Sequence, residues 1–135
     1  MQTEVLESRQ SIINDFRPSG TSLITFDIPA LIDIMKRSKA WETGELYTMV
    51  LFKSPEKQIL LTVLHEGTEI ISFQSKESVT FQIVEGRIIY SARNGSEILY
   101  KGQVLTLNEK IKYSLTSIEE AVFLLTVSNG ILQPV

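Results

Sequence analysis

The 135-residue chain has no cysteine and a single histidine, His65. The first absence excludes disulfide staples and thiolate metal sites. It fits a reducing compartment, and a cytoplasmic location is expected. No window approaches the roughly 18 apolar residues of a membrane span. The opening MQTEVLESRQSIINDF has neither the basic start nor the apolar core of a secretory signal. Charge of one sign is also missing: 13 basic residues stand against 16 acidic ones, for a net charge of −3. The densest basic group, Lys36, Arg37 and Lys39, lies on a predicted helix and reads as a solvated face. Neither a membrane nor a nucleic acid is therefore an expected partner, because nucleic-acid affinity needs a clustered positive surface. Gly-rich phosphate loops, a G-x-S-x-G elbow and paired-carboxylate spacing are absent too.

What is present is enough apolar material for one core, at 43% of residues. A chain of this length forms one domain and buries roughly two-thirds of its unfolded surface. Residues 1–20 read as an arm in which Val5, Ile12, Ile13 and Phe16 form a short apolar stripe, ended by Arg17-Pro18-Ser19-Gly20. Residues 21–135 form the domain, with its core at about 45–128. A short strand is expected over Thr21–Phe26. A helix of about ten residues then starts near Pro29, with Asp27 as cap, Asp33 near the first turn, and Leu31, Ile34 and Met35 toward the core. Trp41 should anchor the helix end or a subunit contact.

From Leu46 onward the apolar period is two, the signature of strands. Ser54-Pro55-Glu56-Lys57 marks a turn, and Lys57–His65 is apolar on both faces. One face belongs to an interior and the other to a helix or a second subunit. Strands follow over Ser78–Val84, Arg87–Ala92, Glu97–Tyr100, Gln103–Leu107, Ile111–Thr116 and Ala121–Val127. Asn94-Gly95 gives a hairpin signal, and Gly86 and Gly102 mark sharp corners. About nine short strands with this punctuation predict an all-β sandwich or closed barrel.

Three glycines then acquire meaning through their joint spacing. Gly67 is followed after five residues by Phe73-Gln74-Ser75, then by Val79, and after six more by Gly86; Gly102 leads to Tyr113 eleven residues on. With the flanking Leu64-His65-Glu66-Gly67, Phe81-Gln82-Ile83-Val84-Glu85-Gly86-Arg87 and Phe123-Leu124-Leu125-Thr126, this pattern resembles the cupin superfamily, in particular its small single-domain conserved-barrel members. The resemblance covers about residues 45–128. It implies a double-stranded β-helix, or jelly-roll barrel, with a short N-terminal helical element, and a homodimer.

The places where that superfamily carries its metal-binding histidines and carboxylate hold Phe73, Ser75, Val79 and Tyr113. Phe73 and Val79 offer no lone pairs, Ser75 is a neutral hydroxyl, and tyrosine ionises near pH 10. A divalent ion needs three or four good donors at about 2 Å, so no metal and no other cofactor is expected. The leading expectation is a metal-free, non-enzymatic cupin that binds a small molecule or serves an accessory or regulatory role. Its pocket would be walled by Phe73, Ser75, Val79, Phe81 and Tyr113, with His65 and Glu69 near the mouth. The residues equally allow Phe73 and Tyr113 to plug the space a metal would leave. Two alternatives stand beside this reading. One is a metal-independent isomerase or lyase using Tyr113 with His65 or Glu69. The other is a structural homodimer with a filled barrel.

Overall fold

The computed structural model describes residues 23–74, 78–107 and 110–128. The N-terminal arm, residues 75–77 and 108–109, and the C-terminal residues 129–135 lie outside them. Within the described residues, Leu23–Asp27 belongs to no β-ladder, so the expected strand over Thr21–Phe26 is not formed there; Thr21 and Ser22 lie outside. Helix α1 spans Ile28–Lys36, with the Asp27 carboxylate accepting from the Ala30 amide 3.1 Å away and Pro29 in the first turn. This is the capping chemistry that orphaned helical N–H groups require. The buried face is Ile32 and Met35 with Leu31 half-buried, whereas Ile34 points to solvent. The helix is therefore rotated from the expected face, and Ile28, Leu31, Ile32 and Met35 form its apolar stripe. Asp33 sits past the first turn and pairs with Arg37. Helix α2 (Lys39–Thr43) follows at once, capped by the Ser38 hydroxyl.

The chain then builds two facing antiparallel sheets. One sheet has the order β1–β2–β9–β4–β7, from Leu46–Lys53, Lys57–Leu64, Ala121–Ser128, Ser78–Glu85 and Val104–Leu107. The other runs β3–β8–β5–β6, from Glu69–Gln74, Ile111–Ser117, Arg87–Ala92 and Gly95–Tyr100. Non-sequential neighbours in both sheets give the jelly-roll crossovers expected from the sequence. The hairpin between β5 and β6 is displaced by one residue. Ala92 pairs with Gly95, so Arg93-Asn94 forms the two-residue loop and Gly95 already belongs to the strand. Tyr90 donates to the Asn94 side chain at 3.0 Å and fixes this turn.

Two apolar layers result, because each strand of the first sheet shows alternate residues to opposite sides. Between the sheets lie Leu64, Val79, Phe81, Ile83, Ile88, Leu115 and Phe123. Outside the first sheet, Leu61, Val63 and Val122 lie under Ile32, Met35 and Trp41. Strand β2 is thus apolar on both faces because the two helices cover its outer side. An ion-pair network pins α1 there: Lys36 Nζ lies 2.6 Å from Glu120 Oε2 and 3.2 Å from Glu85 Oε1. Lys36 is accordingly tied to the sheet and does not belong to a solvated basic face. The turn from β2 to β3 is held by Ser117, whose hydroxyl donates to the His65 carbonyl at 2.6 Å and accepts from the Thr68 amide at 3.0 Å. Buried polar groups must find such partners or lose their hydration uncompensated.

Candidate functional site

The barrel centre is the place where a cupin-like fold would carry chemistry. Strands β4, β8, β5 and β9 send Phe81, Tyr113, Tyr90 and Phe123 into it, on the inward parity of each strand. The rings form a connected group. Phe81 meets Tyr113 edge-on with centroids 5.8 Å apart and meets Phe123 likewise at 5.5 Å; Tyr90 and Tyr113 lie 6.0 Å apart. Edge-to-face contacts of this kind suit the ring quadrupoles. Phe81 keeps 2% of its surface accessible and Tyr113 7%. So little free surface is what rings packed against one another leave. Leu64, Ile83, Leu115 and Val79 belong to the same buried cluster as the rings.

Of the expected pocket residues, Val79, Phe81 and Tyr113 come together in this cluster. Ser75 lies outside the described residues. In the β3–β8 ladder Phe73 stands opposite Lys112, while Ser72 stands opposite Tyr113 and Ile70 opposite Leu115. Ser72 is thus the hydroxyl residue beside the Tyr113 ring, and counting from Gly67 did not single it out. Burial raises the Tyr113 phenol above the usual tyrosine range, a hydrogen bond with Ser72 opposes that rise, and nearby Tyr90 adds to it. A neutral phenol therefore sits at the centre at physiological pH.

His65 and Glu69 do not converge on Tyr113. The imidazole of His65 lies flat on the Trp41 indole, with centroids 3.5 Å apart and planes 12° apart. Its Nε2 is 2.8 Å from the Trp41 carbonyl oxygen, which can only accept, so Nε2 carries the proton. Both rings belong to the helical layer outside the first sheet. Trp41 thus anchors the helix end, as one of its two expected roles would have it. Glu69 is exposed and pairs in the ladder with Thr116, on the outward parity shared with exposed Ile71.

A metal centre finds no support in this donor set. The interior offers phenol, hydroxyl and hydrocarbon, none of which is a good ligand for a divalent ion at neutral pH. Among the described residues, no three His, Cys, Asp or Glu side chains gather closely enough to hold an ion. Also among them, no helix is long and apolar enough to cross a membrane.

Comparison with known proteins identifies the fold. No protein-family model matches the chain, and no curated protein matches it. Solved structures do. A conserved Streptococcus pyogenes protein of unknown function superposes with a TM-score of 0.62 at 17% identity, covering 90% of this chain and 97% of that one. The cupin domain of Cnp3 from Schizosaccharomyces pombe gives 0.61 at 20% identity over 67% and 69% of the two chains. A cupin superfamily protein of Desulfitobacterium hafniense gives 0.59 at 15% identity over 63% and 78%. The chain has the cupin fold, as the glycine spacing led us to expect. At these identities the likeness speaks for fold alone, since one fold hosts many activities.

Proposed function

We propose that this protein is a metal-free, non-catalytic cupin that acts as a homodimeric accessory protein, its barrel filled by its own side chains. The observation that supports this reading is the burial of Phe81, Tyr90, Tyr113 and Phe123 at the barrel centre, each at most 7% accessible. Rings in mutual contact stand in the middle of the barrel, which supports a filled interior. The groups needed for acid–base work on a substrate lie on different surfaces, with His65 under Trp41 and Glu69 facing outward. The protein would then work in the cytoplasm through its exterior and through self-association.

The rival is an open pocket for a small molecule, in which Val79, Phe81 and Tyr113 would form one wall. Thermal unfolding in the presence of divalent metals, a chelator and a panel of metabolites separates the two. A filled barrel predicts an unmoved midpoint under every condition. A reproducible saturable rise in midpoint with one compound or metal overturns the proposal, because binding to the folded state alone must stabilise it.

A further inference from the structure

We infer that the outward face of the β3–β8–β5–β6 sheet is the surface on which a second copy of this chain docks. The inference rests on the homodimeric reading above and assigns its interface.

The outer side of the first sheet is covered across β1, β2 and β9 by α1 and α2. The corresponding side of the second sheet carries no such cover among the described residues. Among the described residues, three of the eight large apolar side chains left exposed lie on it: Ile71 at 64% accessibility, Tyr100 at 49% and Ile98 at 43%. The ladder registers arrange this face in rows. One row is Thr116, Ile89 and Ile98, running across β8, β5 and β6. The next, two residues along, is Ser114, Ser91 and Ser96, with the Ser91 and Ser96 hydroxyls 2.8 Å apart and so satisfied by each other. Across β8, β5 and β6 these rows carry no charge, although 21% of the chain's residues are charged; on edge strand β3 the first row ends in Glu69 and the second in Ile71. Charges stand at the rim: Glu69 on edge strand β3, Lys112 one step beyond the serine row, and Arg87, which is paired with Glu119. An uncharged centre with a polar rim is the anatomy of an interface.

The relief of the two rows favours a second copy over an unrelated protein. A branched ridge lies beside a small-residue trough, about 7 Å away along the strands. A two-fold axis running between the rows lays the ridge of each copy in the trough of the other, so both surfaces are served by one operation. Two copies that each carry a net charge of −3 also meet best where neither presents charge. The extent of the face sets the strength. Four strands at about 4.8 Å spacing and six residues at about 3.3 Å give a footprint of about 400 Å² per copy. That is roughly half of the ~800 Å² per partner that standard stable interfaces bury. The dimer is therefore reversible and its population depends on concentration.

Sedimentation equilibrium of the full chain over a wide concentration range, from micromolar to millimolar, tests this. The variants are Ile98→Lys and Ile71→Glu on this face, the second setting like charge against Glu69 of the other copy, with Val104→Lys on the opposite sheet as control. Val104 is 59% accessible, so all three changes sit at exposed positions and circular dichroism checks the fold. The expected result is a wild-type monomer–dimer equilibrium that each isoleucine variant weakens at least tenfold and the control leaves unchanged. Ile98→Lys and Ile71→Glu variants that dimerise as well as the wild type overturn this face while leaving the homodimer in place, as does a control that alone dissociates. A wild type monomeric throughout overturns both the face and the homodimer, and leaves the surface to a different partner.

Discussion

Removing one ring from the barrel centre distinguishes a plugged barrel from an open one. Phe81 touches Tyr113 and Phe123 edge-on and keeps 2% of its surface accessible. In a closed core, Phe→Ala costs about 3–5 kcal/mol, from lost transfer energy plus the void left behind. Each aromatic pair adds about 0.5–1.5 kcal/mol beyond area burial, which places Phe81→Ala toward the upper end. At ordinary unfolding entropies that loss lowers the thermal midpoint by roughly 10–20 °C. Were Phe81 instead the wall of a wet pocket, its ring would already meet solvent in the native state. The loss would then approach the ~1 kcal/mol average for point substitutions. Urea unfolding followed by fluorescence of Trp41, the sole tryptophan, reads the difference. Trp41 is buried between the helices and β2 and changes environment on unfolding. An apolar void of this kind also stays dry and accepts small aromatic solutes, so benzene should stabilise the variant and leave wild type unmoved. A loss below about 1.5 kcal/mol, or equal stabilisation of wild type by benzene, refutes the plugged barrel.

Two further tests address the frame around it. A Cβ on Gly86, whose φ is +79°, would lie 2.4 Å from the Glu120 carbonyl oxygen and 2.8 Å from the Ala121 Cα. Neither backbone atom can step aside, so Gly86→Ala should cost more than about 4 kcal/mol. Gly67 has φ +83° with nothing within 4 Å, so Gly67→Ala should cost only the ~1–2 kcal/mol of a left-handed residue; equal losses in denaturant unfolding would contradict this. Stability should also fall above pH 10. Burial raises Tyr113 and Tyr47 above their ordinary 10.0, while in Lys36 the Glu120 and Glu85 contacts outweigh the lowering by burial. The unfolded chain then releases these protons first, so their stabilisation is whole below pH 10 and is lost as pH climbs through the folded values. Phenolate absorbance should show two late tyrosines whose ionisation tracks unfolding, with Tyr113→Phe flattening the decline; stability constant through that range would be the contrary result.

Much of the frame was legible because local chemistry and tertiary structure agree. Arg87–Ala92 was bounded correctly, and the other strands from Ser78 onward differ by one or two residues at an end. Gly67, Gly86 and Gly102 all adopt positive φ, the conformation that makes glycine spacing informative. The expectations that shifted are those that neighbours decide. Ile34 satisfies helical periodicity as well as Ile32 does, and only the tilt of α1 on β2 and β9 selects between them. The β5–β6 turn moved one residue back to Arg93-Asn94 because Gly95 pairs with Ala92. The apolar outer face of β2 gave equal warrant to a helix or a second subunit; helices took it. That removes one sequence argument for dimerisation and moves the question to the second sheet.

The centre of the barrel was harder to read, for a reason that strand geometry makes plain. Side chains alternate with a period of two, so one residue of register carries an entire strand from one face to the other. Counting from Gly67 sets Phe73 and Ser75 at the positions of the fold's usual ligands, yet the ladder pairs Ser72 with Tyr113. How many residues the turn through Gly67 consumes before β3 begins is fixed by Ser117, which grips His65 and Thr68 from β8, a contact remote in sequence. The donor chemistry that β3 brings is nonetheless alike on either count. One parity of β3 offers Ile70 and Ser72, and the other offers Ile71 and Phe73, so neither supplies an imidazole or a carboxylate to the middle of the strand. Val79 and Phe81 on the other sheet and Tyr113 on neighbouring β8 keep their places whichever parity β3 adopts. Among the described residues, the scarcity of imidazole and carboxylate at the centre is thus insensitive to register. Whether those same side chains leave room for a guest is a property of volume, which only the packed structure decides.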